Sequence, residues 1–125
     1  MSRFFSFEEL ECWKEAADLR KRIRVIVKTF PQEEKYKLVD QLIRASRSAT
    51  ANIAEGFGRY HYKENAKFCR NSRGSLNEII DHLIVAREEE YISDKELAEL
   101  KIKTNKCILI LNGYIKYLLK NKKEE

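Results

Sequence analysis

The 125 residues include one Pro and four Gly, too few breakers for a strand-rich fold, and 43% hydrophobic beside 36% charged residues, too apolar for a disordered tail. A formal charge of +5 and a pI near 9.1 point to polyanionic partners. No apolar run approaches the roughly 20 residues of a membrane span, the longest being Cys107 to Leu111, and MSRFFSFEEL lacks a signal peptide's apolar centre, so a cytoplasmic location is expected.

The first helix is predicted from about Phe7 to Thr29, with Leu10, Trp13, Ala17, Ile23, Val27 and Phe30 forming a buried stripe. Ser6 is its expected N-cap, closed into a capping box by Glu9. The second helix is predicted from Pro31, whose ring presets φ for a first turn, to about Glu55, with Gly56 as a left-handed stop. Its second half, Ala45 to Ala54, is mostly small residues that let a neighbouring helix approach closely.

After the aromatic and basic loop Phe57 to Tyr62, a third helix is predicted from about Lys63 to Glu89, with Ala66, Cys69, Leu76, Ile80, Leu83 and Ile84 inward. Gly74 interrupts it at a cost of about 1 kcal/mol relative to Ala, which close approach of another helix backbone would offset. Ser93 caps a fourth helix over residues 94–120, Glu96 closes its capping box, and Ile92 staples onto Leu97. Helices of about 22 to 27 residues, roughly 33 to 40 Å long, imply one all-α domain, residues 1–125, folded as an antiparallel up-down-up-down four-helix bundle. The turn Cys107 to Leu111 is apolar on every side, which hints at oligomerisation.

Catalysis has little support. His61 and His82 lack an adjacent nucleophile or metal-ligand partner, and Cys12, Cys69 and Cys107 are odd in number and widely spaced, which favours buried thiols over a disulfide framework or zinc site. GFGR at Gly56 to Arg59 lacks the strand and the Gly-Lys-Ser/Thr of a phosphate loop and reads as a turn. No catalytic, metal or cofactor site is expected. Gln41, Arg44, Asn52 and Glu55 fall along one side of the second helix, where a network of amides and ion pairs could join helices or subunits.

Charge is uneven along the chain. Arg59, Lys63, Lys67, Arg70 and Arg73 face one acid, Glu64, whereas Glu88, Glu89, Glu90, Asp94, Glu96 and Glu99 cluster around the far loop. Lys63, Lys67 and Arg70 follow helical spacing and can form a stripe for a phosphate backbone, with Tyr60 and Tyr62 available for base stacking. Arg20, Lys21, Arg24 and Lys28 make a second basic patch. Two readings stay open: solvated helix faces, with Lys116, Lys120, Lys122 and Lys123 complementing a helix C-terminus, or binding of RNA or single-stranded DNA.

Three segments carry a family resemblance: FPQEEKY, QLIRASRSATANIAEGFGR and GSLNE. With the Trp13 region and YISDKEL they cover nearly the whole chain. The sequence resembles the four-helix-bundle family of 23S rRNA intervening-sequence proteins, related to the accessory variability determinants of diversity-generating retroelements. Asn71, Ser72 and His61 depart from its pattern. The resemblance implies a homopentameric, barrel-like assembly, and a role linked to rRNA intervening sequences or as an accessory that binds a reverse transcriptase and its RNA. The sequence-level expectation is a non-enzymatic, oligomeric nucleic-acid-binding or accessory protein. The alternative is a structural protein–protein interaction module whose basic faces meet an acidic partner.

Overall fold

The computed structural model describes residues 4–121. Among these, four α-helices form the architecture: α1 (Glu11–Ile26), α2 (Leu38–Phe57), α3 (Tyr62–Glu88) and α4 (Asp94–Lys120). Each helix packs on the next, and α4 closes back onto α1. With short turns after α2 and α3, this is the expected up-down-up-down bundle. Fully buried Leu19, Ile23, Leu42, Ile53, Leu76, Leu83 and Leu111 fill the space between the helices.

The first helix is divided where the sequence suggested continuity. Ser6 and Glu9 do form a capping box, but it opens a 3-10 turn, Phe7–Glu9. Leu10 then adopts extended backbone and is buried, so that α1 starts at Glu11. The break folds the Phe7 ring onto the edge of Trp13, with centroids 5.3 Å apart. A second 3-10 turn, Val27–Thr29, ends the segment.

Pro31 does not begin α2. It is extended (φ −59°, ψ 148°) and leads into a 3-10 turn, Gln32–Glu34, before α2 starts at Leu38. Tertiary ties explain the delay. One Glu34 carboxylate oxygen accepts the Leu38 N–H at 3.3 Å and the other accepts the Tyr91 hydroxyl at 2.7 Å. The buried Phe30 ring lies 5.3 Å from that of Tyr91. The Phe-Pro-Gln-Glu-Glu segment therefore fastens the start of α2 to the turn between α3 and α4.

Gly56 is not a left-handed stop. It lies inside α2, buried, and no glycine among the described residues has positive φ. A Cβ placed there would stand 2.6 Å from Asn65 Oδ1 and 2.9 Å from the Asn65 carbonyl oxygen, so the missing side chain allows α3 to cross closely. The left-handed residue is Glu90, with φ 64°. Its N–H donates to the Arg87 carbonyl, and the Tyr91 N–H to that of Ala86, the paired bonds of a Schellman turn. Gly74 also departs from expectation, because among the described residues no neighbouring helix comes within 4 Å of an added Cβ.

The small residues of α2 meet α3 as anticipated. Ser72, fully buried, donates to the Ala49 carbonyl at 2.7 Å, and the Ser75 and Ser48 hydroxyls lie 2.9 Å apart. These bonds satisfy polar groups that a close helix crossing would otherwise strand. The predicted matched lengths hold for α3 and α4, at 27 residues each, but α1 has only 16. Ser93 and Glu96 form the predicted capping box at α4.

Cys12, Cys69 and Cys107 are all free and buried. Burial pushes their thiols up to about 12, 12 and 11, so they pack as small apolar groups at neutral pH.

Candidate nucleic-acid interface

Helical spacing sets Lys63, Lys67 and Arg70 along the exposed side of α3. Together with His61 and Glu64 they line a shallow groove of about 540 Å³. Arg59 and Arg73 are held differently. Arg59 pairs with Glu55 at 2.7 Å and rests 4.8 Å from the Phe68 ring centroid. Arg73 donates to Asn112 Oδ1 at 2.7 Å, bridging α3 and α4. The five sequence-predicted cations thus divide into an exposed row of three and two that also fasten the bundle. Tyr60 is 76% exposed and available for stacking, whereas Tyr62 is buried and packs toward Tyr117.

The second patch is similarly divided. Lys21, Arg24 and Lys28 are exposed, while Arg20 lies half-buried against α2, donating to Thr50 Oγ1 at 2.8 Å and resting 5.8 Å from the Trp13 ring centroid. Acidic side chains border this second patch, since Lys21 and Arg22 share a groove with Glu96 and Glu99. Glu88, Glu89, Glu90, Asp94, Glu96 and Glu99 are exposed at the far end of α3 and the start of α4. A helix of 27 residues is about 40 Å long, well beyond the Debye length at physiological salt, so the two ends present separate fields.

Arg44, Asn52 and Glu55 pair locally rather than with one another or with Gln41. Arg44 lies 3.5 Å from Asp40, Asn52 donates to the Ser48 carbonyl and hydroxyl, and Glu55 meets Arg59. Gln41 and Arg44 border a groove between α2 and α3 that also includes Ser48 and Glu78. His82 Nε2 lies 3.6 Å from Glu78 and His82 Nδ1 3.9 Å from Asp81.

Several polar groups escaped the sequence reading. Lys103 on α4 reaches Glu15 at 2.6 Å and Asp18 at 2.7 Å on α1. Hydrogen bonding from Lys103 holds both carboxyls below the ordinary carboxylate range, against the opposing effect of burial. Burial alone would lower Lys103, but its bonds to Asp18 and Glu15 outweigh it and raise the ammonium. Asn65, buried at the α3–α4 crossing, donates to the Tyr114 hydroxyl at 3.1 Å. Arg47, exposed on α2, adds a further cation beside Arg20. The helical period could have indicated Arg47's exposure, but pairing across helices has no signal in one sequence.

Fold and surface together define a small all-α bundle with one basic row, on α3, set apart from the acidic end. Residues 8–113 match the family described as 23S rRNA-intervening sequence protein, and the chain belongs to that family. It is also similar in fold to a crystal structure from Bacteroides thetaiotaomicron VPI-5482, described as a protein with unknown function from the S23 ribosomal protein family. That similarity has a TM-score of 0.77 at 20% identity and covers 84% of this chain and 95% of the other. No curated protein matches the chain. Among the described residues, no helix is long and apolar enough to cross a membrane, and no cluster of three His, Cys, Asp or Glu side chains could hold a metal ion.

Proposed function

We propose that this protein acts without catalysis, as an oligomeric accessory that binds RNA or single-stranded DNA through its basic faces. The observation that carries this reading is the row Lys63, Lys67 and Arg70, exposed along α3 and remote from the acidic end of the bundle. Such a row suits the regular charge of a phosphate backbone and offers no set of base-reading groups, so binding is sequence-tolerant and driven by counterion release. Repetition of the row in an oligomer raises avidity without new contacts in each subunit. A reverse transcriptase is a further partner consistent with the family resemblance.

The test is a charge swap, Lys63→Glu, Lys67→Glu and Arg70→Glu together, followed by fluorescence anisotropy of a labelled oligonucleotide over a range of salt. Wild-type protein should bind near 50 mM salt. The triple variant should lose binding, or retain it with a logarithmic salt slope lower by about 2, the value for three single-strand phosphate contacts. Helicity and oligomer mass should not change. Wild-type protein that fails to bind, or a swap without effect, overturns the assignment.

A second reading, a structural protein-interaction module without direct nucleic-acid binding, draws on exposed Val25, Ile102 and Leu109. Specific capture of a protein in the absence of RNA would favour it.

A further inference from the structure

Between α1 and α2 lies a small groove of about 280 Å³, bordered by Arg20, Arg47, Thr50, Ala51, Ala54 and the contacting rings of Phe7 and Trp13. Three features distinguish it from an ordinary seam between helices. Ala51 and Ala54 give α2 a low wall, leaving room beside the half-buried indole of Trp13. The Arg20 guanidinium is fixed from two sides, by its bond to the buried Thr50 hydroxyl and by the Trp13 ring beneath it. Arg47 stands exposed on the opposite wall. An apolar floor with two aromatic rings and two guanidinium groups combines the elements that recognise a base and its phosphate.

The surroundings extend the same chemistry. Along α1 and into the following turn, Trp13, Ala17, Arg20, Arg24 and Lys28 succeed one another at three-and-four spacing without an acid among them. Arg20, Arg24 and Lys28 are therefore spaced at intervals of about 6 Å along the helix, a track on which neighbouring phosphates can lie. On α2, Asp40 is ion-paired with Arg44, which reduces the negative field beyond the groove.

The geometry points to a subsite for one unpaired base of single-stranded nucleic acid, stacked against Trp13 over Ala51 and Ala54, with its flanking phosphate held by Arg47 and the remaining N–H groups of Arg20. This assignment rests on the nucleic-acid reading above and deepens it. An acidic peptide would match the charge but would leave the aromatic rings of the groove without a planar partner.

Trp13 is the single tryptophan of the chain, so its emission reports on the groove directly. The oligomer as purified is titrated with an unlabelled 12-residue oligouridylate while Trp13 emission is followed, and separately with a labelled copy by anisotropy. Saturable quenching that tracks the anisotropy is expected. Ala51→Glu, at an exposed helical position that tolerates a long side chain, should weaken quenching roughly tenfold, as loss of one stacked base implies. Arg47→Ala should lower the salt slope by about 0.7, the value for one single-strand phosphate contact. Binding by anisotropy with Trp13 emission unchanged, or with both variants behaving as wild type, overturns the groove and leaves the general function standing. No binding by either method overturns both. Equal quenching by poly-glutamate of matched charge overturns the base subsite in favour of an acidic protein ligand.

Discussion

Glycine has opposite meanings at two positions of this chain. At Gly56 the absent Cβ lets the α3 backbone approach, with Asn65 and Phe68 already filling the space a side chain would need. At Gly74 the same absence serves no contact among the described residues and leaves the entropic penalty. Glu90 shows the converse, a side-chain-bearing residue held in the left-handed region that glycine prefers. Three substitutions should therefore separate by sign in thermal or urea unfolding. Gly56→Val should destabilise by about 1–3 kcal/mol through overpacking. Gly74→Ala should stabilise by up to about 1 kcal/mol, and Glu90→Gly by about 1 kcal/mol. A neutral Gly56→Val would show that α3 can retreat without loss, contrary to the close crossing described.

Among the helices, α1 is the short member, and its attachment to α4 depends on polar as well as apolar contact. Lys103 is only 13% exposed and Glu15 15%, so loss of Lys103 leaves the largely buried Glu15 with only the exposed Lys106, 3.7 Å away, while Asp18 is half exposed and contributes less. Lys103→Met should cost about 2 kcal/mol at neutral pH. Because Glu15 and Asp18 titrate lower in the folded chain than in the unfolded one, their contribution is complete above the unfolded values and is lost as pH falls through the folded ones. Lys103 is raised, so its contribution persists until the alkaline range. The difference between wild type and Lys103→Met should therefore shrink below about pH 4. An equal difference at pH 3 and pH 7 would rule out the ion-pair account. Element order was readable because apolar periodicity and the Ser93–Glu96 box are local signals. The boundaries at Leu10 and Leu38 were not, since they arise from Phe7 reaching Trp13 and Glu34 reaching Tyr91, contacts that the sequence does not display.

For the whole molecule, one sequence can give the signs of surface charges but not how they are engaged. Lys63, Lys67 and Arg70 share an exposed side as their spacing indicated, yet Arg59 and Arg73 are tied to Glu55 and Asn112, and Arg47 joins Arg20 across two helices. The same distinction clarifies the turn Cys107 to Leu111. Cys107 and Leu111 are buried, Ile108 and Ile110 lie half-buried against the core, and Leu109 points outward at 72% exposure. Ile102, one heptad earlier on α4, is 71% exposed. Two large apolar side chains spaced seven residues apart on one face of a helix form a contact surface that a neighbouring subunit can cover, each gaining about 1.5–3 kcal/mol when fully buried. We therefore expect a homo-oligomer in solution, with the pentamer implied by the family resemblance as the stoichiometry to test by light scattering or native mass measurement. Leu109→Glu is the informative variant, because its side chain leaves the subunit core untouched, whereas Ile110→Glu would also disturb packing within the subunit. If α4 forms the contact, Leu109→Glu should lower the oligomer mass while preserving helicity. Wild-type protein that remains monomeric at tens of micromolar would overturn the assembly, and an intact oligomer in Leu109→Glu would move the contact to another face.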